Sequence, residues 1–295
     1  MEETHMKVAV VADSTTYLPE HILQAHDIYT IPLNVIIGDD IYKENEIDYK
    51  WYYDKMKELD ELPTTSQPSI GDYILLLESL YREGYTDVLS LHLSAEISGT
   101  HQSAQAAAAS VDGINVHVVD SGIAAAPLGF MAMYAAQNLK TKSIEEIIAD
   151  IDLMKSEENM NAYFLVDTLT NLQKGGRLSN AQAMIGGLLK IKPILEFQDG
   201  KIVAIEKIRT QKKALQKIEA LLQSEFEQHD QKSLTVCIIH ANAKEFGEQI
   251  KKEFEEKFQD ITFVLQEFGP VVGTHVGEGA IGIGYTNYPV DITGL

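Results

Sequence analysis

"DVLSLHLSAEISGTHQSAQAAAASVDGINVHVVDSG", Asp87 to Gly122, decides the fold. Its first seven residues form an apolar run without helical period, short enough for a buried strand. A hydroxyl-rich turn follows, Ser94 to Thr100, and then an alanine-rich segment that Ser98 is placed to cap as a helix. "INVHVV", from Ile114, is a second apolar run. Strand, helix, strand in that order predicts a parallel pair with a crossover helix. Upstream, "KVAVVAD" and "IYTIPLNVII" read as further buried strands. "SIGDYILLLESLYREG" repeats Ile74, Leu77, Leu80 and Tyr81 at helical spacing, with Ser69 as N-cap and Gly84 as C-cap. In sheets of this kind ligands gather at the loops after the strand C-termini, here Asp13 to Thr16, Ser94 to Thr100 and Asp120 to Gly122.

"MKSEENMN", Met154 to Asn161, is charged and polar and marks a boundary. The expected organisation is an α/β protein of two domains: a mostly parallel βα domain over residues 6–156 and an α+β domain with a mixed sheet over 157–295. In the second part "AYFLV" and "LTVCIIH" read as strands, and "QDGK" as a hairpin turn with Asp-Gly at its centre. Helices are expected from Thr210 to about Gln228 and from Lys244 to Phe258. "EFGPVVGTHVGEGAIGIGY", Glu267 to Tyr285, has six glycines around His275 and reads as strand end and glycine-rich loop. Such a loop lets backbone turn sharply and hold an imidazole rigidly beside a ligand.

Bulk properties exclude several functions. The 295 residues carry a formal charge of -20, which repels phosphate backbones and argues against nucleic-acid binding. Within that acidic body, Met160 to Lys213 holds nine Lys or Arg against four Asp or Glu, a basic island suited to partner docking. The single cysteine, Cys237, forms no intrachain disulfide and suits a reducing cytoplasm. The uncharged run Ser121 to Leu139 approaches membrane-span length, but its Ala, Gly and polar content reads as a buried soluble helix.

Familiar catalytic patterns fail on context. Gly277, Gly279 and Gly282 match a dinucleotide fingerprint, yet thirteen following residues leave no room for the βαβ unit it needs. No Walker A sequence, nucleophile elbow or zinc-binding helix is present, and no metal is expected. A Ser-His-Asp hydrolase assembled from Ser98, His275 and Asp13 or Asp120 is the catalytic alternative.

"DSTT", "TSQPS", "SGTHQSA", "VVDS", "LQKGGRLS", "KPIL", "IRTQKKAL" and "GTHVGEGAIGIGY", in this order along nearly the whole chain, resemble the DegV family of bacterial lipid-binding proteins. Glu278 stands where the family commonly has proline, and Ala95 where it has a second serine. The resemblance implies a two-domain DegV fold with a lipid tunnel between or beside its domains. It implies a carrier of one long-chain fatty acid, without cofactor and not itself a catalyst. The carrier presents the carboxylate to a separate ATP-dependent fatty acid kinase, whose acyl phosphate feeds phospholipid synthesis; transient membrane contact is allowed. Carried onto this sequence, the carboxylate site would comprise Thr65, Ser66, Ser94 or Ser98, and His275, with Arg209 nearby. Arg177 would dock the kinase. Met131, Met133, Met184, Leu188 and Ile194 are the apolar stock for the tunnel. Another anionic amphiphile, such as an acyl phosphate, would suit the same loops.

The chemistry of such a site is self-consistent. A tail of roughly fourteen methylenes at about 0.8 kcal/mol each gives on the order of 11 kcal/mol before ordering costs. The head group then needs only orientation, which neutral hydroxyls supply while leaving an oxygen free to attack ATP.

Overall fold

The computed structural model describes residues 7–179 and 191–295. Strand β1 (Val8–Asp13) is the centre of the first sheet, joined in parallel to β2 (Ile28–Ile31) on one side and β6 (Asp87–His92) on the other, with β7 (Asn115–Asp120) outermost. Helices α3 (Ile70–Arg82) and α4 (Thr100–Ala108) cover one face through Tyr73, Leu77, Leu80, Ala104 and Ala107. Ser69 caps α3 as expected, its hydroxyl accepting the Asp72 N–H at 3.0 Å. Tyr81, placed on the buried face by its spacing, is 52% exposed; the buried side of the helix is set by Tyr73 instead.

"IYTIPLNVII" is not one strand. Pro32 has no N–H to give a ladder, so pairing stops at Ile31 and the chain leaves the sheet. It resumes as β3 (Asn34–Ile37), which forms a small antiparallel sheet with β4 (Asp40–Lys43) and β5 (Thr64–Ser66). Two short helices, α1 (Glu20–Ala25) and α2 (Tyr49–Met56), flank these strands.

All strands from β8 (Met160–Leu165) onward belong to a third sheet. Its order places β10 (Lys201–Ile208) at one edge, then β9 (Lys192–Gln198), β8, β13 (Ile281–Thr286), β11 (Thr235–His240) and β12 (Thr262–Glu267). Among its described strands β11 and β12 pair in parallel and the other neighbours antiparallel. The turn between β9 and β10 has positive φ at Asp199 (48°) and Gly200 (77°), the hairpin geometry that Asp-Gly favours. Helices α8 (Gln211–Phe226) and α9 (Lys244–Lys257) cover the outer face. The glycine-rich stretch expected as a loop is the short helix α10 (Pro270–Val276) followed by the central strand β13.

Between the two large sheets lies α5 (Ala126–Asn138), with every residue from Ala126 to Ala135 buried. A helix apolar on all sides has to be covered on all sides. Its packing joins Val10, Leu89 and Leu91 of the first sheet to Phe164, Cys237 and Ile239 of the third in one core. Helix α6 (Ile144–Met154) begins with a capping box at Ser143 and Glu146 and leads into β8. Among the described residues no helix is long and apolar enough to cross a membrane.

Phe226 anchors the outer core, fully buried and edge-on to Phe258 (5.4 Å between centroids) and Tyr285 (5.5 Å). Phe226→Ala should destabilise the protein by about 3–5 kcal/mol, measured by urea denaturation.

Candidate functional site

An apolar cavity, open at its mouth, lies beyond the N-terminal end of α5. The third sheet forms its floor through Ala162 and Phe164 of β8, Ile239 of β11, and Gly282 and Gly284 of β13. Opposite stand Leu33, Leu93, Ala124 and Pro127; Val271, Val272 and Val276 of α10 and Leu172 of α7 (Thr170–Lys174) close the sides. The β13 glycines are required by close approach. A Cβ on Gly282 would stand 2.9 Å from Ile239 Cγ2, and one on Gly284 would stand 2.7 Å from Pro127 Cγ. In "AIGIGY" the apolar residues and the glycines alternate with period two, which is the strand signal hidden in that stretch.

Polar side chains meet where β5, α10 and the loop after β6 converge. Thr65, Ser66 and Gln67 come from β5 and its end, Ser98 from the loop, His275 from α10 and Arg177 from the turn after α7. Thr65 Oγ1 and His275 Nε2 share a hydrogen bond of 2.8 Å across 210 residues of sequence. When Nε2 carries the proton and donates, the Thr65 hydroxyl proton is free to reach a ligand. His275 Nδ1 is buried without a hydrogen-bond partner among the described residues. Burial, with the Arg177 charge nearby, lowers the His275 pKa to about 4, so the ring is neutral at pH 7. Arg177 is half-buried: Nε donates to the Ile97 carbonyl at 3.1 Å and Nη1 to the Gly175 carbonyl.

Several expected residues lie elsewhere. The Ser94 hydroxyl is buried and donates to the Gly200 carbonyl at 2.7 Å, tying its loop to the β9–β10 hairpin, so Ser98 is the serine that faces the cavity. Arg209 is exposed just past β10 and is not part of the cavity wall. Met131 and Met133 are core residues of α5, and Ile194 faces the outer core with Ala214 and Ile218. Met184 and Leu188 lie outside the described residues. The apolar wall is instead built by Phe164, Phe197, Phe268 and the α10 valines, which single-residue composition does not distinguish from core.

The hydrolase arrangement is not assembled. Ser98 Oγ bonds Thr100 Oγ1 at 2.9 Å rather than His275. Asp13 is taken up by Thr15 and the Leu93 N–H, and Asp120 by the N–H groups of Ala95 and Gly122. No cluster of metal-binding side chains occurs among the described residues.

Comparison with known proteins agrees with this geometry. A family model described as "Uncharacterised protein, DegV family" matches residues 7–287. The chain belongs to the DegV family. A DegV domain-containing protein of Listeria innocua is 46% identical over 279 residues, 94% of this chain and 97% of that relative. The crystal structure of DegV from Bacillus subtilis, described as a fatty acid binding protein, shares 45% identity and superposes with a TM-score of 0.87, covering 95% of this chain and 99% of that one. A DegV family protein from Thermus thermophilus, described by its fatty acid binding, has 30% identity and a TM-score of 0.87 over 95% and 99% of the two chains.

The depressed His275 pKa makes a signed prediction. The unfolded chain, with histidine near 6.5, takes up this proton before the folded one does, so the His275 contribution to stability is lost as pH falls from about 6.5 to about 4. NMR titration of the ring should give a midpoint near 4, and His275→Gln should remove that part of the pH dependence of thermal unfolding.

Proposed function

We propose that this DegV family protein is a carrier for one long-chain fatty acid, whose carboxylate it presents to a separate ATP-dependent fatty acid kinase. The observation carrying the reading is an apolar cavity whose wall also carries Thr65, Ser66, Ser98 and His275, with Thr65 and His275 hydrogen-bonded to each other. That arrangement matches an amphiphile with one polar end, and solved relatives are described as fatty acid binding proteins. Hydroxyls and a neutral imidazole orient a carboxylate without neutralising it, and leave an oxygen able to attack a phosphoryl group. The carrier makes and breaks no covalent bond; the kinase does so. The alternative occupant is another anionic amphiphile of similar length, such as an acyl phosphate.

Arg177 is the residue assigned to kinase docking, at the cavity mouth where a partner would meet the head group. Two of its nitrogens are fixed by backbone carbonyls, so its orientation is set before any partner arrives. The surrounding basic island is partly neutralised, with Lys192 paired to Asp167 and Lys201 to Glu96 at 3.5 Å.

Solvent extraction of the purified protein followed by mass spectrometry should release a stoichiometric fatty acid. An extract empty of lipid after incubation with mixed fatty acids would overturn the carrier reading. Thr65→Ala removes one hydrogen bond worth about 0.5–1.5 kcal/mol, so lipid retention should weaken by up to about tenfold. Arg177→Ala should keep its lipid and lose kinase-dependent phosphorylation; retained phosphorylation would remove Arg177 from the docking site.

A further inference from the structure

Helix α10 is held at its far end by residues from the first half of the chain. The Glu44 carboxylate, 1% exposed, accepts the Val271 N–H at 2.8 Å, the Tyr17 hydroxyl at 3.2 Å and the Ser14 hydroxyl. The Tyr17 oxygen in turn accepts the Val272 N–H at 3.1 Å. Two N–H groups that the first turn of a helix leaves unpaired are thereby bound. Further along, the Tyr53 hydroxyl donates to the Phe268 carbonyl at 2.7 Å, and Tyr52 Oη pairs with Oγ1 of Thr274, the residue before His275. Gly269 makes room for this contact: a Cβ there would stand 2.8 Å from Tyr49 Oη and 2.9 Å from Glu44 Oε1.

We propose that Glu44 is the positioning residue of the head-group site: by fixing the N-terminal end of α10 it sets where His275 stands, and so how firmly the cavity holds a carboxylate. This inference rests on the reading of the cavity as a fatty-acid site. Glu44 itself is not part of the cavity wall.

The same contact makes retention depend on pH. All three partners of Glu44 are donors, which suits the ionised acid, but the group has lost its water. Burial outweighs the donors and raises its pKa to about 7, with the Asp13 charge adding to the rise. The other titratable groups facing it are Tyr17, Tyr49, Tyr52 and Tyr53, all pushed up by burial, and Glu267, also raised by burial. When α10 moves away, water returns to Glu44 and its ordinary value of 4.5 is restored. The docked state therefore holds the proton more tightly, so the Glu44 contribution to docking is full below about 4.5 and is lost as pH rises to about 7, by at most about tenfold per pH unit for one proton, with no further change above that. His275, held near 4 when docked and near 6.5 when exposed, acts in the opposite sense below about pH 6.5, so the net weakening shows between about pH 6.5 and 7.

The test follows release of a fluorescent polyene fatty acid from the full chain between pH 6 and pH 9, with the His275 ring signals read by NMR. In the wild type, release should accelerate as pH rises from about 6.5 to about 7 and level off above that. Glu44→Gln, which keeps the shape without the charge, should flatten that profile and shift the His275 signals. Tyr17→Phe, which removes the acceptor of the Val272 N–H but keeps the ring, should speed release at every pH. Uptake by the wild type with an unchanged profile and unmoved His275 signals in Glu44→Gln overturns this inference alone. A wild type that takes up no fatty acid overturns the carrier reading, and this inference with it.

Discussion

Everything in this fold is arranged around a helix without a polar face. With ten successive residues of α5 buried, the helix has to be enclosed, and the chain encloses it between a parallel sheet built early and a mixed sheet built late. Two sheets separated by a helix stand about 20 Å apart, because each helix–sheet layer spacing is close to the roughly 10 Å width of a helix with its side chains. Where α5 begins, at Ala126, that slot continues without a helix to fill it. The cavity is this continuation, bounded by Ala124 and Pro127 at the helix end and by the third sheet below. Its apolar character comes from the third-sheet residues Phe164 and Ile239 together with the valines of α10.

The polar end of the cavity depends on a second contact between the halves. Thr65 belongs to the small antiparallel sheet and His275 to α10, the helix that Glu44, Tyr17, Tyr52 and Tyr53 also bind. A buried carboxylate is costly unless well partnered, and here three donors hold it at the end of the helix that carries the imidazole. Head-group geometry and the joint between the halves are thus one network. A change at Glu44 is felt at His275 through about one turn of helix rather than through any direct contact.

Much of the fold was legible in the chain. Alternating apolar runs and amphipathic segments mark the strands and helices of the first half, and in the second half Asp199-Gly200 marks the β9–β10 hairpin because that turn needs two residues at positive φ. Pro32 hides a break, since a run of apolar residues on both sides of a proline looks continuous until the missing N–H is placed in a ladder. The glycines of β13 read as a loop because glycine is scarce in strands; the third dimension shows Ile239 and Pro127 occupying the space their side chains would need. Of the hydroxyls in the loop after β6, sequence could not separate Ser94 from Ser98. One turns toward the Gly200 carbonyl and the other toward the cavity, a difference fixed by the hairpin that docks there.

By itself the sequence determined the alternation of elements, the acidic surface and the set of hydroxyl, imidazole and guanidinium groups available to a ligand, because periodicity, charge and residue type are local properties. Tertiary structure decided which of these groups meet. Thr65 and His275 lie 210 residues apart, and Met131 and Ile194 are as apolar as Phe164 and Val272. Whether an apolar side chain faces a neighbour or a cavity depends on the packing of two sheets against α5, and no local pattern carries that information.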